Sequence, residues 1–223
     1  MSARGRLPIR GVASVCVAAM VLAQAAAQSP ASHQHSFDNA EKWAHIFDDP
    51  KRDAWQKPHE VIEVLALKPD AVVADIGAGT GYFTVRLANM LPRGTVYGVD
   101  IEPDMVKYLA ERARREKLPN VQTITAAADD PRLPTPVDLI LLVDVYHHIG
   151  QREQYFSRLR SSLKPGGRLV VIDFTLDSPE GPPKEMRITP QTVRDELAKA
   201  GYVLGAEHAF LPRQYFLEFA ARP

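Results

Sequence analysis

The stretch VVADIGAGTGYFTVRLA, residues 72–88, sets an acid two positions ahead of three closely spaced glycines. Asp75 is the acid, and Gly77, Ala78, Gly79 and Gly81 make the turn. Glycines there let the backbone approach a ligand, and the N–H groups of a following helix point at it. A dinucleotide-binding turn spaces its glycines G-x-G-x-x-G. Here the third glycine comes one position early, and the acid suits a cationic or amine-bearing ligand better than a pyrophosphate. Asp100 follows Gly81 by nineteen residues, at the end of the next apolar run. A carboxylate in that position accepts hydrogen bonds from both hydroxyls of a ribose. A third group, Asp144-Val145-Tyr146-His147-His148, brings an acid and two imidazoles together. A histidine near neutral pH takes a proton from a hydroxyl or nitrogen. The competing reading packs one histidine on a sheet and uses the other to cap a turn. Adjacent histidines point apart and have no third ligand at useful spacing, so a metal site is not expected.

These residues need a scaffold that delivers them to one edge. AVVADI, GTVYGVD, VQTITAA, VDLILLVDVY and GGRLVVIDF read as five strands. Helical patterns separate most of them: YFTVRLANML, PDMVKYLAERARREK and QREQYFSRLRSSL. Strands alternating with helices predict a parallel α/β sheet. TPQTVRDELAKAG reads as a last helix, with Thr189 as its cap, Pro190 next and Gly201 past its end. YVLGAEHAF and QYFLEFAA are two more strands, separated only by Leu-Pro-Arg. That gap is too short for a crossover, so the pair closes as an antiparallel hairpin. The expected fold is a Rossmann-like, seven-stranded mixed sheet with helices on both faces. Asp173 ends the fifth strand at the same edge as Asp144. Upstream, Pro58 to Leu67 carries apolar residues at helical spacing, and RDAWQKP places Arg52, Trp55 and Gln56 just before it. Those three side chains form either one wall of a pocket or an aromatic face packed on the sheet.

Residues 70–175 resemble the class I S-adenosylmethionine-dependent methyltransferases in five ordered motifs. VVADIGAGTGYFT is similar to the first, VYGVDIEPDM to the second, AAADDPRLP to the third and VDLILLVDVYHHI to the fourth; LRSSLKPGGRLVVIDF matches the helix, turn and strand that follow. The resemblance implies that Asp75, Gly77, Ala78, Gly79 and Gly81 cradle the methionine part of S-adenosylmethionine. It implies that Asp100 holds the ribose, Ile101 packs on the adenine, and Asp129, with Asp130 as rival, binds the adenine amino group. Asp144, His147 and His148 become the catalytic candidates, with Asp144 near the methionine amine or the acceptor. Methyl transfer from a sulfonium is an in-line displacement, and a base is needed only if the acceptor must lose a proton.

Composition narrows the acceptor. The 223 residues hold 27 basic and 27 acidic side chains, and no basic stripe is interleaved with aromatics, which argues against nucleic acid. A small-molecule acceptor is expected. The opening segment has a different character: Arg4, Arg6 and Arg10, no acid before residue 28, an apolar run from Gly11 to Ala27, and Ala-x-Ala at its end. This three-part pattern predicts a secretion signal over 1–27, followed by a linker over 28–36, a helical lid over 37–68 and the cofactor-binding domain over 69–223. The expected address is periplasmic or secreted, without stable membrane insertion after signal removal, or cytoplasmic if translation starts at Met20. The only cysteine, Cys16, lies in that signal, so the mature chain has no disulfide. An exported, non-catalytic binding protein that keeps the fold is the alternative from another class. A nicotinamide dehydrogenase is disfavoured by the glycine spacing and the closing hairpin.

Overall fold

The computed structural model describes Met1 and residues 39–222. The expected signal, the linker and Phe37 lie outside those described residues. Residues 39–222 belong to one compact unit. Seven strands build a single sheet: β1 Val72–Ile76, β2 Thr95–Asp100, β3 Val121–Thr125, β4 Val137–Val143, β5 Leu163–Phe174, β6 Tyr202–His208 and β7 Gln214–Ala221. Their spatial order is β3-β2-β1-β4-β5-β7-β6. The first five run parallel, while β7 pairs antiparallel with both β5 and β6. The expected mixed sheet and closing hairpin are both present.

Seven helices accompany the sheet among the described residues: α1 Ala40–Phe47, α2 Asp53–Gln56, α3 Pro58–Val64, α4 Thr84–Met90, α5 Pro103–Arg115, α6 Arg152–Leu159 and α7 Pro190–Lys199. Leu139, Ile140, Leu141 and Leu142 of β4 are all fully buried, as a strand covered on both faces must be. One core layer joins Leu139 and Leu141 to Ile62 of α3, Leu87 of α4 and Leu109 of α5. The other joins Ile140 and Leu142 to Phe156 and Leu159 of α6 and Leu197 of α7. Among the described residues no helix is long and apolar enough to cross a membrane.

Local signals explain most element boundaries. Thr189 caps α7, its hydroxyl oxygen accepting from the Thr192 N–H at 3.1 Å. Gly201 ends the segment in the left-handed region, at φ +90°. Several boundaries depart from the sequence reading: β4 ends at Val143, before the Asp-Val-Tyr read as part of it, and α6 ends at Leu159. Helix α4 starts at Thr84, because Tyr82 and Phe83 belong to the glycine turn. Helix α3 stops at Val64, where Ala66 turns left-handed at φ +47°. Strand β5 starts early, at Leu163, with a shift of register against β4 between Val137 and Leu139.

The segment 39–57, called the strap below, carries α1, a short turn of 3₁₀ helix over Pro50–Arg52, and α2. Its start is tied down where the Asn39 N–H donates to Asp104 of α5 at 3.0 Å. Arg112 of α5 holds it again through Asp48 at 2.7 Å, and the same guanidinium donates to the Thr80 carbonyl. The chain order reverses between β1 and β4, so the crevice that such a sheet offers a ligand opens at their carboxyl ends, beneath this strap.

Candidate functional site

The glycine turn leaves β1 with Gly77, Gly79 and Gly81 at φ +74°, +54° and +95°. Two of these glycines are demanded by packing. A Cβ on Gly77 would lie 2.2 Å from Val145, and one on Gly81 would lie 2.3 Å from Leu109. Gly79 differs: its Cβ would meet only the Phe47 ring of the strap, at 3.4 Å. Asp75 is buried beneath the turn and accepts from the Thr84 hydroxyl at 2.6 Å. Burial pushes its carboxyl up to about 6; the Thr84 hydrogen bond opposes this and the Asp100 charge adds to it.

Asp100 accepts from two backbone donors, the Gly79 N–H at 2.8 Å and the Glu102 N–H at 3.0 Å, one on each oxygen. Burial raises its carboxyl above the usual range, and those two hydrogen bonds oppose the shift. Each oxygen retains a lone pair for a further donor. Ile101, next along, is 42% exposed. The structure therefore brings Asp75, Gly77, Ala78, Gly79, Gly81, Asp100 and Ile101 to one edge. Asp129 and Asp130 lie on the loop after β3, whose Ala126 N–H donates to the Asp100 carbonyl at 2.8 Å. Asp129 is paired with Arg158 of α6 at 3.1 Å, and Asp130 accepts from the Arg132 N–H at 2.8 Å. They border a recess with Tyr155, Arg158 and Ser161 that no glycine of the turn lines.

The second half of the crevice gathers residues from the strap, β4, β5 and β7. Asp144 follows β4 at φ +61°, a conformation that carries its side chain off the strand. Its carboxylate accepts from Gln56 of α2 at 3.0 Å and from Gln214 of β7 at 2.5 Å, with Arg52 at 3.6 Å. Burial raises it to about 6, against the nearby Arg52 charge and with the help of Asp173. His147 Nδ1 lies 3.0 and 2.9 Å from the two Asp173 oxygens, and both side chains are 3% exposed. Asp173 also accepts the His147 and Phe174 N–H groups, so the carboxylate is fixed in place. The His148 ring is centred 4.1 Å from that of His147. Tyr146 is turned away: it is fully buried and donates to Glu196 of α7 at 2.6 Å.

Trp55 of the strap faces Phe174 at 5.7 Å and lies between the guanidiniums of Arg52 and Arg213, at 5.9 and 5.5 Å. Arg52 also stacks over Tyr82 of the glycine turn at 4.3 Å. The strap thus roofs both halves of the crevice. Gln214 and Tyr215, at the start of β7, escaped the sequence reading; a glutamine opening an apolar strand is the one hint available there. Four buried side-chain polar atoms among the described residues lack a hydrogen-bond partner. Three of them belong here: Thr80 Oγ1, Gln214 Oε1 and the Tyr215 hydroxyl. Buried polar groups left this way point to a ligand that completes them.

A family model described as a methyltransferase domain matches residues 67–208. The chain belongs to that methyltransferase family. Its residues are 32% identical over 119 positions to a ubiquinone/menaquinone biosynthesis C-methyltransferase of Ectopseudomonas mendocina, covering 51% of this chain and 46% of the relative. They are 30% identical over 142 positions to a trans-aconitate 2-methyltransferase of Rhodopseudomonas palustris, covering 63% and 52%. The chain spans about half the length of these curated relatives. The crystal structure of a SAM-dependent methyltransferase from Aquifex aeolicus superposes with a TM-score of 0.75 at 26% identity, over 82% of this chain and 98% of that one. The cofactor of this family is S-adenosylmethionine, and the site suits it: a glycine left free toward the strap, an orphaned Thr80 hydroxyl, and a strand-end carboxylate with lone pairs to spare. The non-catalytic alternative finds no support in these likenesses.

Proposed function

We propose that this methyltransferase methylates a small-molecule acceptor bound under the strap, against the ends of β4, β5 and β7. The His147–Asp173 pair carries the reading. With Nδ1–H donated to Asp173, the imidazole keeps its lone pair on Nε2, the form a general base needs. S-adenosylmethionine, when bound, supplies an electrophilic methyl group. The glycine turn and Asp100 hold the nucleoside end, so that transfer is a matter of alignment. The acceptor atom is positioned by the aromatic wall of Trp55 and Phe174. His147 Nε2 takes its proton as the new bond forms, and the Asp173 carboxylate stabilises the resulting imidazolium. Both side chains are buried, so the acceptor enters by displacing part of the strap, which then shuts out water.

Relatives named for quinone biosynthesis and for trans-aconitate support a small molecule as acceptor. The proposal is tested by incubating the protein with methyl-labelled S-adenosylmethionine and the small-molecule extract of the producing cell. Label in a low-molecular-weight product is the expected result; label only in protein or nucleic acid overturns it. The basic, apolar and small-residue succession at the N-terminus supports export. Sequencing the mature protein is expected to give a start near Gln28, whereas a chain starting at Met20 in the cytosol overturns that part.

A further inference from the structure

The two glutamines that clamp Asp144 are not equivalent. Gln56 donates from Nε2 to Asp144, and its carbonyl oxygen accepts from Arg52 Nε at 2.8 Å, so it is satisfied at both ends. Gln214 donates from Nε2 to the other oxygen of Asp144 at 2.5 Å, but its own Oε1 has no partner although the residue is 3% exposed. Flipping the amide offers no remedy, because it would turn the carbonyl oxygen onto a carboxylate. A buried carbonyl left unpaired is destabilising.

The surroundings narrow what completes it. Gln214 Oε1 and the remaining lone pairs of the Asp144 carboxylate are acceptors only; the Arg52 guanidinium, 3.6 Å from one Asp144 oxygen, faces two carboxylates there, Asp144 and the nearby Asp173. A hydroxyl brings one hydrogen to such a place; a primary ammonium brings three, and a positive charge. The position is equally specific. Val145, the neighbour of Asp144, is the side chain that a Cβ on Gly77 would strike, so this cluster borders the glycine turn. On its far side stands Asp173 with His147.

We infer that Gln214, together with Asp144, seats a primary ammonium group at the junction of the two halves of the crevice. The inference rests on the proposed reading of this crevice as the methyl-transfer site, and names a specificity-determining residue for it. The ammonium comes either from the amino-acid end of the cofactor or from an amine on the acceptor.

Calorimetric titration of the wild type and Gln214→Met separates these sources. The probes are S-adenosylhomocysteine, 5′-methylthioadenosine (the same thionucleoside without the amino-acid end, ammonium and carboxylate both) and, on protein saturated with S-adenosylhomocysteine, n-propylammonium chloride. If the cofactor supplies the group, the variant loses about tenfold or more in affinity for S-adenosylhomocysteine and keeps its affinity for 5′-methylthioadenosine. If the acceptor supplies it, both nucleosides bind as before and n-propylammonium binding falls about tenfold or more. Unchanged S-adenosylhomocysteine binding with no loss for n-propylammonium, including a wild type that does not bind it, overturns the inference. Equal losses for the two nucleosides also overturn it, since they mark a collapsed crevice. A wild type that binds neither nucleoside sinks the methyl-transfer reading instead, and this inference with it.

Discussion

The two halves of the crevice are built on opposite plans. On the β1–β2 side, the functional groups lie within 27 residues of one another in sequence, from Asp75 to Ile101. Their hydrogen bonds are met locally: Thr84 on Asp75, and Gly79 and Glu102 on Asp100. On the β4–β5–β7 side, Asp144 is held by Gln56 and Gln214, which stand 88 and 70 residues away. Two of the orphaned polar atoms are on this side. The first half is a cradle made by one strand-turn-helix unit and the strand beside it, with only the Thr80 hydroxyl left without a partner among its buried side-chain polar atoms. The second is an assembly point whose polar groups are completed by what binds there.

Substitutions on the two sides should therefore fail differently. The largest effect is expected at the assembly point. His147→Gln should lower turnover by about 10²- to 10⁴-fold, with S-adenosylhomocysteine affinity nearly unchanged, as single-turnover kinetics and calorimetry would show. Asp173→Asn should follow it and shift the pH–rate profile. Full turnover in both variants would return the pair to a purely structural role. On the cradle side, Asp100→Ala should cost roughly a hundredfold or more in cofactor affinity through two lost charge-assisted hydrogen bonds. Unchanged affinity in a folded variant would remove Asp100 from the ribose.

Two smaller effects sharpen the contrast within the cradle. Gly77→Ala combines φ +74° with a 2.2 Å clash on Val145, and should cost roughly 3 kcal/mol in denaturant unfolding. Gly79→Ala, which meets Phe47 at an ordinary 3.4 Å, should cost nearer 1 kcal/mol and show itself in weakened cofactor binding. Equal losses of stability would mean that Gly79 also serves packing. Asp75 makes a pH prediction. Its folded carboxyl titrates near 6, above its ordinary 3.8, so the unfolded chain ionises first as pH rises. From this group alone stability falls by about 3 kcal/mol in all as pH rises from below the unfolded value to above the folded one, most of it between pH 4 and 6, and the loss is complete once the folded carboxyl has ionised. The difference in unfolding free energy between wild type and Asp75→Asn should trace that slope. A flat difference would mean that Asp75 is not buried as described.

Most of the fold was legible because its signals are short-range. The apolar runs of β1 and β4, the Thr189 cap and the short gap before β7 each encode one element or one connection. The cradle was legible for the same reason: turn chemistry requires glycine at fixed offsets, and Asp100 falls at a strand end. The sequence left Asp129 and Asp130 as rivals, and the fold gives them different partners, Arg158 for Asp129 and the Arg132 N–H for Asp130. Among the catalytic candidates, the sequence placed Asp144, His147 and His148 together but did not tell them apart. The pairing of His147 with Asp173 needed β4 and β5 side by side.

What the sequence determined alone, then, was the sheet, its closing hairpin and the glycine-rich cradle, because hydrophobic period and turn geometry act over a few residues. What only the tertiary structure decided was the β4–β5–β7 side. Strand order brings Gln214 of the last strand beside Asp144, and the strap carries Gln56 over to them. Those contacts span dozens of residues, where side-chain identity has meaning only after the backbone has brought the partners within hydrogen-bonding distance.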